Sequence, residues 1–461
     1  MPPPLTLAEV PSYMWMIWAF DAVGVVFAFA FGTCLGSLTN ALVYRLPRGI
    51  GVVTPPSACP SCGTTLTWRE NIPVFGWLLL GGRCRFCKCK ISPEYPIVEA
   101  AVGMLFVLLY LLWYVIPVHA GFGDAVWLGI DWAGLAPDWA RGGLRSTWPP
   151  FVMVLLLVAS LVAMTLVDAK TFSIPLVLAW FPTLVGVLTH AGFSVYVQQT
   201  VGRLPHASPG WTWVIPTPGP HGWGWIGAAV GGVAGVILAN VLLAAGVFRR
   251  SFADYDTWER EALVKAGVAD PDQFDPQSEE QAHLWVQYPH ARREMLKEIA
   301  FLAPVVALAL LGKFLAERWA GPWALDSTTF AYVPAANAPL WLQAVSGCLL
   351  GYLVGGGVVW AIRILGTLGV GKEAMGLGDV HLLAAVGACI GWLDAGLAFL
   401  ASAFVGLAWV ILGKVLSGKL TRVMPYGPYL AIATLLVVLC KPLVEMGLSR
   451  LLPAFAPVNL P

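Results

Sequence analysis

Two aspartates stand out because almost everything near them is apolar. Asp168 lies in Val167-Asp168-Ala169-Lys170-Thr171-Phe172-Ser173-Ile174-Pro175, and Asp379 in Met375-Gly376-Leu377-Gly378-Asp379-Val380-His381. An ionisable group at the end of a long apolar run is costly, and its default reading is a functional one. Two carboxyl groups at one low-dielectric site cannot both ionise cheaply. They share a proton, so that one acts as base toward water while the other acts as acid toward a carbonyl oxygen. That is the chemistry of peptide-bond hydrolysis by an acid pair. Gly376 and Gly378 suit it, since backbone without side chains can leave helical geometry and let an extended substrate come close. Taken alone, Asp379 also reads as a helix N-cap after a glycine turn, and Asp168 as an interfacial carboxylate paired with Lys170. Taken together, the two point to the acid pair.

A second set is made of cysteines. Cys59-x2-Cys62 is followed, after 21 intervening residues, by Cys84-x2-Cys87. Each tight knuckle presents two sulfurs to one tetrahedral zinc about 2.3 Å away. Four thiolates fill the coordination sphere, so such a zinc is structural rather than catalytic. Cys89, two residues further on, competes with Cys87 as a ligand, and a pair of disulfides is the other reading of the set. Cys34, Cys348, Cys389 and Cys440 sit in apolar runs and read as small packing residues. His381, two residues after Asp379, reads as a histidine satisfied within the helices.

The elements that must position these groups follow from composition. Of 461 residues, 58% are hydrophobic and 11% charged, against roughly 25% charged in an ordinary soluble domain. A soluble enzyme is excluded. The expected fold is an all-α polytopic membrane protein of about 8–10 transmembrane helices, with a small cytoplasmic zinc-binding loop domain. The first twelve residues carry no Lys or Arg, so the first apolar run, 14–43, reads as a membrane helix rather than a removable signal. Further apolar runs fall near 97–117, 150–167, 174–188, 223–248, 299–315, 341–365, 380–392, 393–412 and 427–444, ten in all. The fourth and eighth are short for a crossing. The chain divides accordingly into a first helix (1–44), the cysteine segment (45–96), helices carrying Asp168 (97–248), an acidic insertion (249–298) and helices carrying Asp379 (299–461). Gly227-x3-Gly231-x3-Gly235 and Gly347-x3-Gly351-x3-Gly355 are small-residue ridges suited to close helix packing.

Charge sets the expected orientation. With the N-terminus outside, 20 of the 27 Lys and Arg fall in 45–96, 168–173, 249–298, 363–378 and 414–422, and 7 on the opposite face. The positive-inside rule then puts the cysteine segment and both aspartates on the cytoplasmic side. The net charge of +1 gives no electrostatic footprint for nucleic acid, and the expected surroundings are a lipid bilayer.

Five stretches together resemble the type IV prepilin leader peptidases, bacterial membrane aspartic proteases of the GxGD type. Gly36-Ser37-Leu38-Thr39-Asn40-Ala41-Leu42-Val43-Tyr44-Arg45-Leu46-Pro47 is similar to their N-terminal signature. The cysteine segment, with Asn71-Ile72-Pro73, Trp77, Ile91-Ser92 and Tyr95-Pro96-Ile97-Val98-Glu99, is similar to their zinc-binding loop. Asp168 with Ile174-Pro175, Gly376 to Asp379 with Gly391-Trp392, and Met424-Pro425-Tyr426-Gly427-Pro428 complete the likeness. It implies cleavage of prepilin or pseudopilin leaders at the cytoplasmic face of the bacterial inner membrane, with Asp168 and Asp379 catalytic. It also implies N-methylation of the new terminus from S-adenosylmethionine, for which no separate motif is evident. Many members have further aspartates where this chain has Lys170 and Leu176. Asn40, Arg45 and Glu99 either line the site or cap and anchor their helices. Segments 120–148 and 249–298 are insertions; the second either attracts a basic leader or forms a solvated helical hairpin. Trp127, Trp132, Trp139 and Trp148 read as an interfacial outer loop. A presenilin-like intramembrane protease and a membrane thiol oxidoreductase using its CxxC pairs are the alternatives.

Overall fold

The computed structural model describes residues 12–120, 126–127, 130–200, 221–268, 288–325, 332–333, 338–417 and 425–451. Met424 and the acidic residues Asp270, Asp272, Asp275, Glu279 and Glu280 lie outside them. The long apolar runs become helices because lipid offers no partner to a free backbone N–H or C=O. In chain order these are α1 (Ser12–Arg45), α2 (Phe75–Leu79), α3 (Glu94–Tyr110), α4 (Ile116–Ala120), α5 (Leu144–Thr171), α6 (Leu176–Thr200) and α7 (Gly222–Ala244). They continue as α8 (Tyr255–Lys265), α9 (Ala291–Ala320), α10 (Leu340–Val370), α11 (Leu377–Ile390), α12 (Trp392–Ser417) and α13 (Gly427–Leu451). A π-helical turn, Leu111–Val115, joins α3 to α4 in one rod. Two antiparallel pairs of two-residue strands, Val126–Trp127 with Ile130–Asp131 and Ala324–Leu325 with Tyr332–Val333, are minor additions.

Among the described residues, eight helices are long and apolar enough to cross a membrane: α1, the α3–α4 rod, α5, α6, α7, α9, α10 and α12. The protein is an all-α, multi-pass membrane protein. All ten expected apolar segments are helical, but two are short, α11 and the apolar Gly427–Lys441 part of α13. The fourth segment is longer than its sequence suggested. The polar residues that seemed to end it are absorbed inside, with His190 donating to the Cys389 carbonyl at 3.0 Å and Ser194 bonded to the His190 carbonyl.

The eighth segment is short, as read, because α11 is an interior helix. Almost every residue from Val380 to Ile390 is buried, and Gly391 at φ 89° ends it. It can lie this deep because Gly351 of α10 and Gly387 of α11 meet backbone to backbone, where a Cβ on either would strike the other's carbonyl. The α7 ridge works the same way, with Gly227 and Gly231 against the Gly312 and Leu308 carbonyls of α9. The buried residues of α9 are confined to Ala291, Glu294, Met295 and Glu298 at its start. Trp139 departs from the expected interfacial loop. It is 1% exposed and sits edge-on to Trp113 at 5.4 Å, because the turn at Asp138–Gly142 folds inward onto the core.

Candidate functional site

Asp168 sits one turn before the end of α5, where Phe172 at φ 52° closes the helix. Asp379 is the third residue of α11, whose N-cap is Gly376. Both carboxylates are buried, at 5% and 6% exposure, and near enough for their charges to interact. The helix ends meet around Ile174. Its side chain fills the space a Cβ on Gly378 would need, at 3.0 Å, and its Cδ1 lies 3.4 Å from the Cβ position of Gly427. Gly427 opens α13 and aims its N–H at the Asp168 carboxyl group. Three helix ends therefore converge: the end of α5 and the starts of α11 and α13.

Lys170 pairs with Glu94 of α3 rather than with Asp168. The Oδ2 atom of Asp168 is buried without a hydrogen bond, an oxygen left open to a proton or a water. Asp379 is not the N-cap of α11, although its carboxylate receives the N–H of Gly376, which is. That is half of a capping box, in which the third helical residue reaches back to the N-cap amide. Tyr426 bonds Ser402 of α12 and lies within electrostatic reach of Asp379. His381 takes no part in these contacts.

The cysteine segment is built from two matching knuckles. In the first, the Cys59 N–H donates to the Thr64 carbonyl and the Gly63 N–H to the Cys59 carbonyl, both at 2.9 Å. In the second, the Cys84 N–H donates to the Cys89 carbonyl at 2.9 Å and the Lys88 N–H to the Cys84 carbonyl at 3.1 Å. Gly63 and Lys88 take the same left-handed backbone, at φ 68° and 58°. Cys62 and Cys87 are thus equivalent, and so are Thr64 and Cys89.

The sulfurs of Cys59, Cys84, Cys87 and Cys89 lie within 4.8 Å of one another. Cys62 stands at their edge, 4.0 Å from Cys84 and 3.3 Å from the Thr64 hydroxyl. Four thiolates about 2.3 Å from one tetrahedral zinc would be about 3.8 Å apart. The observed Sγ separations of 3.5 Å for Cys59–Cys89 and 3.8 Å for Cys59–Cys87 fit that, and the cluster can hold a metal. No disulfide is present among the nine cysteines.

Of the first-helix residues, Arg45 donates to the Gly51 and Val52 carbonyls and Asn40 to the Tyr95 carbonyl at 3.0 Å. Glu99 accepts the Val74 N–H at 2.6 Å. All three tie the cysteine segment to α1 and α3 rather than reaching the aspartates. Sequence reasoning missed Arg363. It is 2% exposed and bonded to Glu298, Glu373 and the Met375 carbonyl just before Gly376. Its only sequence signal was a lone cation near the end of an apolar run, about six turns in.

Residues 30–113 match the family model of the bacterial peptidase A24 N-terminal domain. A prepilin leader peptidase/N-methyltransferase of Myxococcus xanthus is 42% identical over 102 residues, 22% of this chain and 29% of the relative. One of Klebsiella pneumoniae is 43% identical over 102 residues, 21% of this chain and 45% of the relative. A type 4 prepilin-like proteins leader peptide-processing enzyme of Escherichia coli is 31% identical over 160 residues, 26% of this chain and 60% of the relative. The matched parts thus span between about a third and three fifths of these relatives' lengths. No solved structure matches the chain. Over residues 30–113 and the segments it shares with these relatives, this multi-pass protein is similar to the bacterial peptidase A24 N-terminal domain and to the prepilin leader peptidase/N-methyltransferases.

Proposed function

We propose that the protein is an aspartic endopeptidase that removes the leader of prepilin-like precursors and N-methylates the terminus it exposes. The observation that carries the proposal is the meeting of Asp168 and Asp379 at converging helix ends, both buried and within charge–charge range. The ionised aspartate would take a proton from an attacking water while the other, holding the shared proton, donates it to the scissile carbonyl oxygen, and the roles then reverse to protonate the leaving amine. Gly376 and Gly378 offer the bare backbone that an extended substrate needs beside Asp379. The resemblance implies a scissile bond just before the apolar helix of such a precursor, which suits a dyad set at helix ends. The named activities of the relatives support this reading over the presenilin-like and thiol oxidoreductase alternatives.

The 20-to-7 sorting of positive charge supports a cytoplasmic position for the cysteine segment and the dyad in a bacterial inner membrane. Cys59, Cys62, Cys84 and Cys87 would hold zinc, the equivalence of the knuckles favouring Cys62 and a side-chain rotation bringing its sulfur inward. A zinc with four thiolates has no open position and would stiffen the segment rather than enter the reaction. S-adenosylmethionine would supply the methyl group, a role that rests on the relatives' names. The test is incubation of the purified protein with a type IV prepilin and S-adenosylmethionine, followed by mass analysis of the new N-terminus. A shortened, methylated product is expected; an intact prepilin would overturn the reading.

A further inference from the structure

Arg363 spends nearly every donor it has. Its Nε reaches both oxygens of Glu298 at 3.2 Å, and Nη2 reaches Glu298 Oε1 at 3.1 Å. Nη1 reaches Glu373 Oε1 at 2.5 Å and the Met375 carbonyl. Glu298 is held a second time by Trp360 Nε1 at 2.7 Å. A cation so buried and so fully bonded is costly to assemble, and a buried ion pair is weak evidence of a purely stabilising role.

The Met375 carbonyl and the Gly376 N–H belong to one peptide unit. Arg363 bonds its oxygen end, and its N–H end faces the Asp379 carboxylate. A single peptide therefore connects the guanidinium to the acid. Such serial bonds polarise one another. The six residues Gly371–Gly376 between α10 and α11 form no helix or strand, so side chains set their path. Arg363 does so together with Thr367, whose hydroxyl accepts the Ala374 N–H at 3.1 Å.

The other side of Arg363 leads into the cytoplasmic insertion. Its guanidinium lies 5.3 Å from the Phe252 ring centroid, and the Phe252 N–H donates to Glu294 of α9 at 2.8 Å. Phe252, Tyr255, Trp258 and Tyr288 form one aromatic cluster, and Tyr288 donates to Asp254 at 2.9 Å. Both described ends of the insertion thus fold onto the starts of α9 and the end of α10.

We infer that Arg363 is a positioning residue for Asp379, and that the insertion, through Phe252 and Glu298, holds Arg363 against the Gly371–Gly376 segment. The insertion is then part of what orients the acid pair rather than a separate solvated hairpin. This rests on the reading of Asp168 and Asp379 as a dyad.

The test uses full-length wild type and the F252A, R363K and R363Q variants in lipid nanodiscs, with two readouts. Hydrogen exchange needs no substrate: Phe252→Ala and Arg363→Lys should speed exchange of the Gly371–Gly378 amides about 10-fold while Leu382–Ile390 stays protected. Cleavage of a type IV prepilin should lose about 10-fold in kcat or more with KM little changed, since a misplaced group costs turnover rather than binding. Arg363→Lys, which keeps the charge, should recover part of what Arg363→Gln loses. Unchanged exchange in both variants, or a loss wholly in KM, overturns the inference. If the wild type leaves every prepilin intact, the proposed function fails by itself, and the exchange readout still decides the role of Arg363.

Discussion

Val74 donates its backbone N–H to the Glu99 carboxylate at 2.6 Å, across the boundary between the cysteine segment and the membrane helices. Val74 has φ 63° and ψ −56°, and the Phe75 N–H donates to the Pro73 carbonyl at 2.6 Å. That is a γ-turn with positive φ, a rare and strained conformation, most of all for a β-branched residue. Glu99 holds the strained turn in place, and Ser37 and Asn40 of α1 face the same carboxylate. Replacing Glu99 by Ala should destabilise the cysteine segment by about 1–3 kcal/mol, read as faster limited proteolysis within residues 50–90. Glu99→Gln keeps an acceptor and should be cut at close to the wild-type rate. Equal protease resistance in Glu99→Ala would show that the contact stabilises nothing.

Gly427→Ala should be tolerated by the fold but not by the site. A Cβ there would lie 2.5 Å from Asp168 Oδ2 and 3.4 Å from Ile174 Cδ1, so the carboxylate must turn away. A displacement on that scale should lower kcat by about 10²-fold, with little change in the thermal unfolding of the purified protein. Full activity in this variant would mean that the Asp168 orientation seen here is not the one used.

The cysteine cluster should contain one tightly held zinc per chain by metal analysis. The ligands are thiolates, which take up protons as pH falls, so metal should be lost on the acid side and to chelators. Cys62→Ser should lose most of the zinc, because Cys62 is the knuckle partner of Cys59 as Cys87 is of Cys84. Cys89→Ser should keep it, since Cys89 occupies the place of Thr64 in its knuckle. The reverse pattern would assign the fourth position to Cys89, which has the shorter sulfur distance in the structure.

Much of this architecture is visible in the sequence, for identifiable reasons. Apolar runs bounded by charge report helices because lipid penalises every alternative, and isolated acids in such runs are conspicuous. Asp168, Asp379 and the paired cysteines could be singled out on those grounds. Arg363 and Glu298 could not. Each reads as an ordinary flanking charge until folding brings together α9 and α10, whose residues are 65 positions apart. The reach of α6 past residue 188 was hidden because His190 and Ser194 look like loop residues, and only the neighbouring carbonyl of Cys389 makes them interior. Cys89 belongs to the sulfur cluster in space, although spacing alone favoured the two CxxC pairs.

The sharpest test of the acid pair is substitution of each aspartate by its nearly isosteric amide in the full-length protein, assayed on a type IV prepilin by mass analysis of the product. Asn fills the same space as Asp but cannot pass a proton between water and carbonyl. Asp168→Asn and Asp379→Asn should each lower cleavage by at least about 10²-fold while the protein remains in the membrane with its zinc. Cleavage retained at the wild-type rate by either variant would contradict the assignment of Asp168 and Asp379 as the catalytic pair.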